Sequence, residues 1–177
     1  EGIEDFGGLS DTILSLTESA MRNAIAKIPD GDYDNELKLD GIDGELTMKI
    51  KVSVRGTEMH VDFAGSSPQG AGSINSMPAY TYACTFMGIK PAVAPYLPNN
   101  SGQLRPITMS MPLGSIVNPR YKSVGGGGRA IVGHFCCPAV FGALGKAIPE
   151  KAQAEKAKQQ PPVKAPGGGA GGGAQTA

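Results

Sequence analysis

The chain has 177 residues, enough for one modest domain or a domain with a tail. Its 16 basic and 16 acidic side chains cancel, which argues against the concentrated positive field that nucleic acid or an anionic membrane surface requires. With 26 Gly, 14 Pro and no Trp, the core is expected to be small for the length of the chain.

Ser10 followed by Asp11 predicts a helix start, a capping hydroxyl and then a carboxylate near the positive end of the dipole. Leu14, Met21, Ile25 and Ile28 share one face of that helix, and Pro29 and Gly31 stop it. Tyr33, Leu37 and Leu39 predict a short strand ending at Asp40-Gly41. Leu46, Met48, Ile50, Val52 and Val54 then alternate with Glu45, Thr47, Lys49, Lys51 and Ser53, the period of a strand with one dry and one wet face. After the turn Arg55-Gly56-Thr57-Glu58, Met59, Val61 and Phe63 resume the alternation. The expectation is an antiparallel β-meander packed against amphipathic helices, an α+β fold. A polar loop from Gly65 to Asn75 leads to Ser76, the expected cap of a second helix with Pro78 in its first turn, running to about Lys90. A Pro/Asn-rich loop follows from Pro91 to Ser101, and Ile107, Met109 and Met111 alternate as a short strand. Beyond the glycine run Gly125 to Gly128, an apolar stretch from Ala130 to Ile148 reads as helix, with Pro138 as its kink or its true first turn. From Lys151 the composition turns to Ala, Lys, Gln, Pro and Gly, so the folded domain is placed at 1–150 and a disordered low-complexity tail at 151–177.

Cys84, Cys136 and Cys137 offer neither a disulfide framework nor a zinc-ribbon spacing, and they fit a reducing compartment. The N-terminus, Glu1-Gly2-Ile3-Glu4-Asp5, lacks a starting Met and the features of a signal peptide. No stretch approaches the ~20 apolar residues of a membrane span. These features predict a cytoplasmic protein whose true start lies upstream. His60 falls on the wet face of a strand, and His134 falls in the last helix beside Cys136 and Cys137, without a workable metal-ligand spacing. Asp30, Asp32, Asp34, Asp40 and Asp43 read as turn chemistry, because no glycine or flanking helix completes a calcium loop. The glycine run precedes Arg129 and a helix but has no Lys-Ser/Thr ending. Its backbone N–H groups make Gly126 and Arg129 candidates for contact with an anion.

The order of several motifs resembles the hydantoinase B/oxoprolinase family. Val61-Asp62-Phe63-Ala64-Gly65-Ser66-Ser67-Pro68-Gln69, followed by Gly72 to Asn75, is similar to the family's Asp-Phe-x-Gly-[Ser/Thr]-Ser-x-Gln…Gly-x-Ile-Asn stretch. Asn99 to Ile107, with Asn100, Gly102, Arg105 and Pro106, resembles its Asn-x-Gly-x-x-Arg-Pro-Ile stretch. Pro112 to Pro119 resembles the Pro-x-Gly-Ser-x-x-Asn-Pro that follows, and Arg22 to Gly31 resembles the lead-in helix and turn. Gln103-Leu104 stands where the family often has Cys-Phe, and the glycine run stands where it often has polar residues. The resemblance covers roughly residues 1–150. It implies a piece of the B-type subunit of an ATP-dependent hydantoinase, 5-oxoprolinase or ketone carboxylase, working with a hydantoinase A-type, ATP-using subunit or domain. ATP and a divalent metal are implied for the whole enzyme, with the metal and catalytic residues outside this chain and none bound by it. On the matched motifs, Asn75 and Arg105 join Gly126 and Arg129 as candidates for substrate or anion binding. The other readings are a non-catalytic assembly module and a small anion-binding domain.

Overall fold

The computed structural model describes residues 6–120 and 126–148, apart from the side chain of Arg129. The tail expected at 151–177 lies outside the described residues.

Helix α1 spans Phe6–Ile25 and buries Thr17, Met21 and Ile25. Ile28, in the turn beyond it, is buried on the same side. The helix begins four residues before Ser10, so Ser10 is interior to it and is not its cap. Four strands follow, β1 (Gly31–Asp40), β2 (Glu45–Arg55), β3 (Glu58–Asp62) and, after a long crossover, β4 (Ile107–Ser110). They lie in the order β1-β2-β3-β4. The first three form the expected antiparallel meander, with Gly31 opposite Val54, Asp40 opposite Glu45, and Lys51 opposite Asp62. Gly56 has φ +58° in the tight β2–β3 turn, a conformation that glycine adopts without a Cβ penalty. β4 runs parallel to β3, with Met59 beside Ile107 and Asp62 beside Ser110, which makes the sheet mixed. A parallel neighbour needs a long connection, and residues 63–106 supply it with a helix inside.

Period-two alternation gives the sheet one dry face, where Leu39, Met48, Ile50, Val52, Val54, Met59, Val61 and Ile107 are buried. Helix α3 (His134–Ala147) lies on β1 and β2, and helix α2 (Pro78–Val93) packs on α3. Asn35 is the polar exception on the dry side of β1. Its Nδ2 donates to the Ala139 carbonyl at 3.0 Å, and Gly142 lets α3 come this close because a Cβ there would lie 2.1 Å from that nitrogen. Helix α1 covers β3 and a 3-10 turn at Ser101–Leu104.

Both ends of α2 also differ from expectation. The N-cap of α2 is Met77, without a side-chain bond, while the hydroxyl of Ser76 is buried 2.9 Å from that of Thr81. The helix also continues past Lys90 through Pro91 to Val93, because a proline near the last turn removes little of the ladder. The apolar stretch after the glycine run opens as a π-helical turn, Arg129–Gly133, and Pro138 sits inside α3 without ending it. Proline lacks an N–H and crowds the carbonyl four residues back, and the wide turn directly upstream is where the irregularity is taken up. Ala130–Ala147 reaches a mean hydropathy of 1.4 over 18 residues, sufficient by length and composition alone to cross a membrane and more apolar than the sequence reading allowed. Its buried side, including Cys136, Val140 and Leu144, packs into the core.

Candidate functional site

The polar motifs gather in the loops between β3 and α2 and between β4 and the glycine run. β3 ends at Asp62 while β2 still has residues 45–50 to satisfy. The chain then turns at Gly65, φ +81°, and serine hydroxyls take over from backbone groups. Ser66 Oγ accepts from the Lys49 amide at 3.0 Å and lies 3.1 Å from the Lys49 carbonyl, to which it donates. Ser67 Oγ accepts from the Thr47 amide at 2.8 Å, and the Ser67 amide donates to the Thr47 carbonyl at 2.8 Å. The Gly-Ser-Ser motif is thus an irregular continuation of the β2–β3 ladder. Further on, Gln69 and the segment 114–120 clasp each other. The Gln69 amide donates to the Gly114 carbonyl at 2.8 Å, and Gln69 Oε1 accepts from the Arg120 amide at 2.7 Å.

Asn75 is fully buried, and its side chain brackets the backbone of one residue, Gly70. Oδ1 accepts from the Gly70 amide at 2.8 Å and Nδ2 donates to the Gly70 carbonyl at 2.9 Å. The structure brings this loop against the glycine run. A Cβ on Gly128 would lie 1.8 Å from the Asn75 carbonyl oxygen, and one on Gly127 would lie 2.9 Å from Ser73 Oγ. Gly126 is exposed with open space around it. Asn75 and the segment of Gly126 and Arg129 therefore neighbour one another, whereas Arg105 is engaged elsewhere. Its guanidinium donates to Glu18 on α1 at 3.0 Å, and Glu18 also pairs with Arg22, which reaches Glu58. Hydrogen bonds from Arg105 and then Arg22 hold the Glu18 carboxyl below its usual range. Beside it, Asn100 Oδ1 accepts from the Gly102 amide and Nδ2 donates to Thr17 Oγ1, both at 2.9 Å. A Cβ on Gly102 would lie 2.2 Å from the Leu14 carbonyl. The Asn-x-Gly-x-x-Arg motif therefore seats α1.

On the wet face of the sheet, His60 bridges two hydroxyls of the parallel strand, which local sequence could not reveal because it depends on β4 pairing with β3. Nδ1 is 2.8 Å from Thr108 Oγ1 and Nε2 is 3.0 Å from Ser110 Oγ. Both ring nitrogens are thus held by hydroxyls, which fixes the orientation of the ring; which nitrogen donates depends on the tautomer. The Asp62 carboxylate is not its orienting partner, because both ring nitrogens face hydroxyls; Asp62 Oδ1 instead accepts from the Ala64 amide at 3.0 Å. Next to this ladder, Asp34, Glu36, Lys49, Lys51, Asp62 and Lys146 line an open recess of about 370 Å³. Its cations and carboxylates alternate, and Lys49 pairs with Glu36 at 3.4 Å, so the recess has no single-sign field for an anion.

Among the described residues, no three His, Cys, Asp or Glu side chains converge to hold a metal ion. His134 is exposed, edge-on to Tyr80 with ring centroids 6.4 Å apart. All three cysteines are free thiols. Burial, with Cys84 close by, pushes the Cys136 thiol up to about 12, which removes it as a nucleophile or thiolate ligand near neutral pH.

A model of the hydantoinase B/oxoprolinase family matches residues 1–171. The chain is 31% identical to the B-type subunit of a putative D-/L-hydantoinase of Pseudomonas sp. (strain NS671), over 69% of this chain and 23% of that protein. It is 34% identical to 5-oxoprolinase of Saccharomyces cerevisiae, over 57% of this chain and 7% of that protein. It therefore spans less than a quarter of either curated relative. Among solved structures, the ATP-dependent caprolactamase of Pseudomonas jessenii superposes with a TM-score of 0.76 and 25% identity, covering 84% of this chain and 26% of that one. An acetone carboxylase superposes with a TM-score of 0.63 at 16% identity, covering 78% of this chain and 20% of that one, a likeness of fold.

Proposed function

The chain belongs to the hydantoinase B/oxoprolinase family, and from that premise we propose that it is a framework segment of a B-type subunit, inactive by itself, in an ATP-dependent enzyme that opens a cyclic amide or carboxylates a ketone. The observation that carries this reading is how the family-like motifs use their polar groups. Ser66, Ser67 and Gln69 close the loop after β3, Asn75 closes the next, and Asn100 and Arg105 fasten α1. Groups spent on the fold are not free to bind a reacting atom.

Amide opening driven by ATP needs an anion site for the phosphates and a Lewis acid or base at the activated oxygen. The described residues do not fit a divalent metal, because both nitrogens of His60 are engaged by hydroxyls and no donor set forms around His134. In this reading the metal and catalytic residues come from outside the described residues, and the ATP-using step comes from a hydantoinase A-type partner. Free thiols throughout suit a reducing, cytoplasmic setting.

The test is turnover. The purified chain, supplied with ATP, magnesium and either 5-oxoproline, hydantoin or caprolactam, is expected to release no ADP and no ring-opened product above a heat-killed control. ADP release coupled to ring opening would overturn the reading and place an active site within these 177 residues.

A further inference from the structure

The pairing of β4 with β3 sets two hydroxyls on one imidazole, and the loop fasteners use none of the three groups. His60 is half-buried on β3, while Thr108 and Ser110 are exposed on β4. His60 stands beside Thr108 in the register and Asp62 beside Ser110. The ring meets both hydroxyls, Nδ1 at 2.8 Å from Thr108 Oγ1 and Nε2 at 3.0 Å from Ser110 Oγ. Its two neutral tautomers make different sites. With the proton on Nδ1, the ring donates to Thr108 and offers the Nε2 lone pair to the Ser110 hydroxyl. With the proton on Nε2, the two hydroxyls exchange roles.

We propose that Ser110 is a nucleophile that takes the acyl group of an uncharged carboxylic ester, with His60 as its general base and Thr108 positioning the ring. A hydroxyl within hydrogen-bond reach of a base that a third group orients is the arrangement nucleophilic catalysis needs. Chain chemistry favours Ser110 over Thr108 as the acceptor, because its hydroxyl is primary and that of Thr108 sits on a crowded, branched carbon. The backbone of β4 adds a second reason. The carbonyls of Pro106 and Ser110 accept from the amides of Met59 and Phe63, so these two residues face β3. Met109 and Met111 then turn their backbone groups to the outer edge of the sheet, where β4 is the last strand. The Met111 N–H, directly after the nucleophile, points to the open side, where it can donate to the oxygen of an attacked carbonyl. Charge selects the class of donor. Asp62 lies across from Ser110, and its carboxylate repels an anionic acyl or phosphoryl group. In the step, Ser110 Oγ bonds to the ester carbon as His60 Nε2 takes the hydroxyl proton. The ester C–O bond then breaks, and the alcohol leaves with that proton, so Ser110 is left acylated and His60 neutral. The step uses neither ATP nor a hydantoinase A-type partner, and it goes beyond the framework role.

The probe is p-nitrophenyl acetate, added to the intact chain. The wild type is expected to release p-nitrophenolate in a burst that saturates at one equivalent per chain, with the acetyl group on Ser110 by peptide mass spectrometry. Ser110→Ala should lose the burst, and His60→Gln should slow it by about 100-fold or more. Thr108→Val should slow it and Thr108→Ser should restore it, a rescue that follows the hydroxyl and not the packing. Positions 108 and 110 are exposed, so these variants should keep the wild-type circular-dichroism spectrum and melt. A wild type that releases p-nitrophenolate no faster than Ser110→Ala would overturn the proposal. Acetylation confined to lysines would do the same. An acetyl group on Thr108 would overturn the assignment of Ser110 and give the ring its other tautomer.

Discussion

Single side chains do unequal work in the glycine run and in the α1 ion-pair network. Gly126 and Gly128 are two residues apart, yet a Cβ meets nothing within 4 Å at the first and backbone oxygen at 1.8 Å at the second. Gly126→Ala is therefore expected to leave the melting temperature unchanged, and Gly128→Ala to cost about 2 kcal/mol or more as two backbones are forced apart. Paired thermal melts check this, and equal melts would break the account of the close approach. Glu18 gives a second test. Its carboxyl is lowered by the hydrogen bonds from Arg105 and Arg22, so its contribution is present above the ordinary carboxylate pKa and is lost as pH falls through the lowered folded value. Glu18→Gln should melt below the wild type at about pH 7 and match it at about pH 2. A gap that persists in acid would mean that the glutamate acts through packing and not through charge. Of the residues picked from sequence, Asn75 and Gly126 lie on neighbouring loops, while Arg105 is paired with Glu18 through a contact 87 residues apart in sequence. Neither the glycine run nor the Arg-Pro pair carries a local sign of its partner.

At the level of elements, strand alternation was the most legible feature. Leu46 to Val54 marked both the extent of β2 and its dry face, since a slip by one residue would turn every apolar side chain to water. Ile50 is 2% exposed in the middle of that face. Ile50→Lys is expected to cost several kcal/mol, on the order of a buried unpaired charge, and to leave the chain unfolded in far-ultraviolet circular dichroism at room temperature. A folded variant would mean that α3 does not cover β2. The orientation of β4 was not legible, because the alternation of Ile107, Met109 and Met111 is the same for parallel and antiparallel neighbours. The serine pair after β3 read as loop, and it is loop by backbone but ladder by hydrogen bonding. Ser67→Ala removes the part-buried acceptor of the Thr47 amide and should cost about 1 kcal/mol in denaturant unfolding. The helix ends misled where a capping residue type was present without capping: Ser10 is inside α1, and Ser76 bonds sideways to Thr81.

For the whole molecule, the motifs form one system of fasteners around a mixed sheet, and the family's fold is recognisable in a quarter of a longer relative. Their order along the chain could be read from sequence, because each is a short run with fixed spacing. Their employment could not, because it depends on which loops the crossover from β3 to β4 brings together. If the motifs are fasteners, their removal is felt in stability. Residues held for chemistry or ligand contact are in contrast commonly neutral or costly to the fold. Asn75 separates the two cases most sharply, being fully buried and bonded to both backbone groups of Gly70. The direct measurement is equilibrium denaturant unfolding of the Asn75→Ala chain against the wild type. A loss of about 2 kcal/mol with an unchanged slope, the cost of stranding the Gly70 amide and carbonyl, is the result expected of a fastener. Unfolding midpoints that coincide, or a variant more stable than the wild type, would contradict the framework reading and mark Asn75 as a residue kept for something it binds.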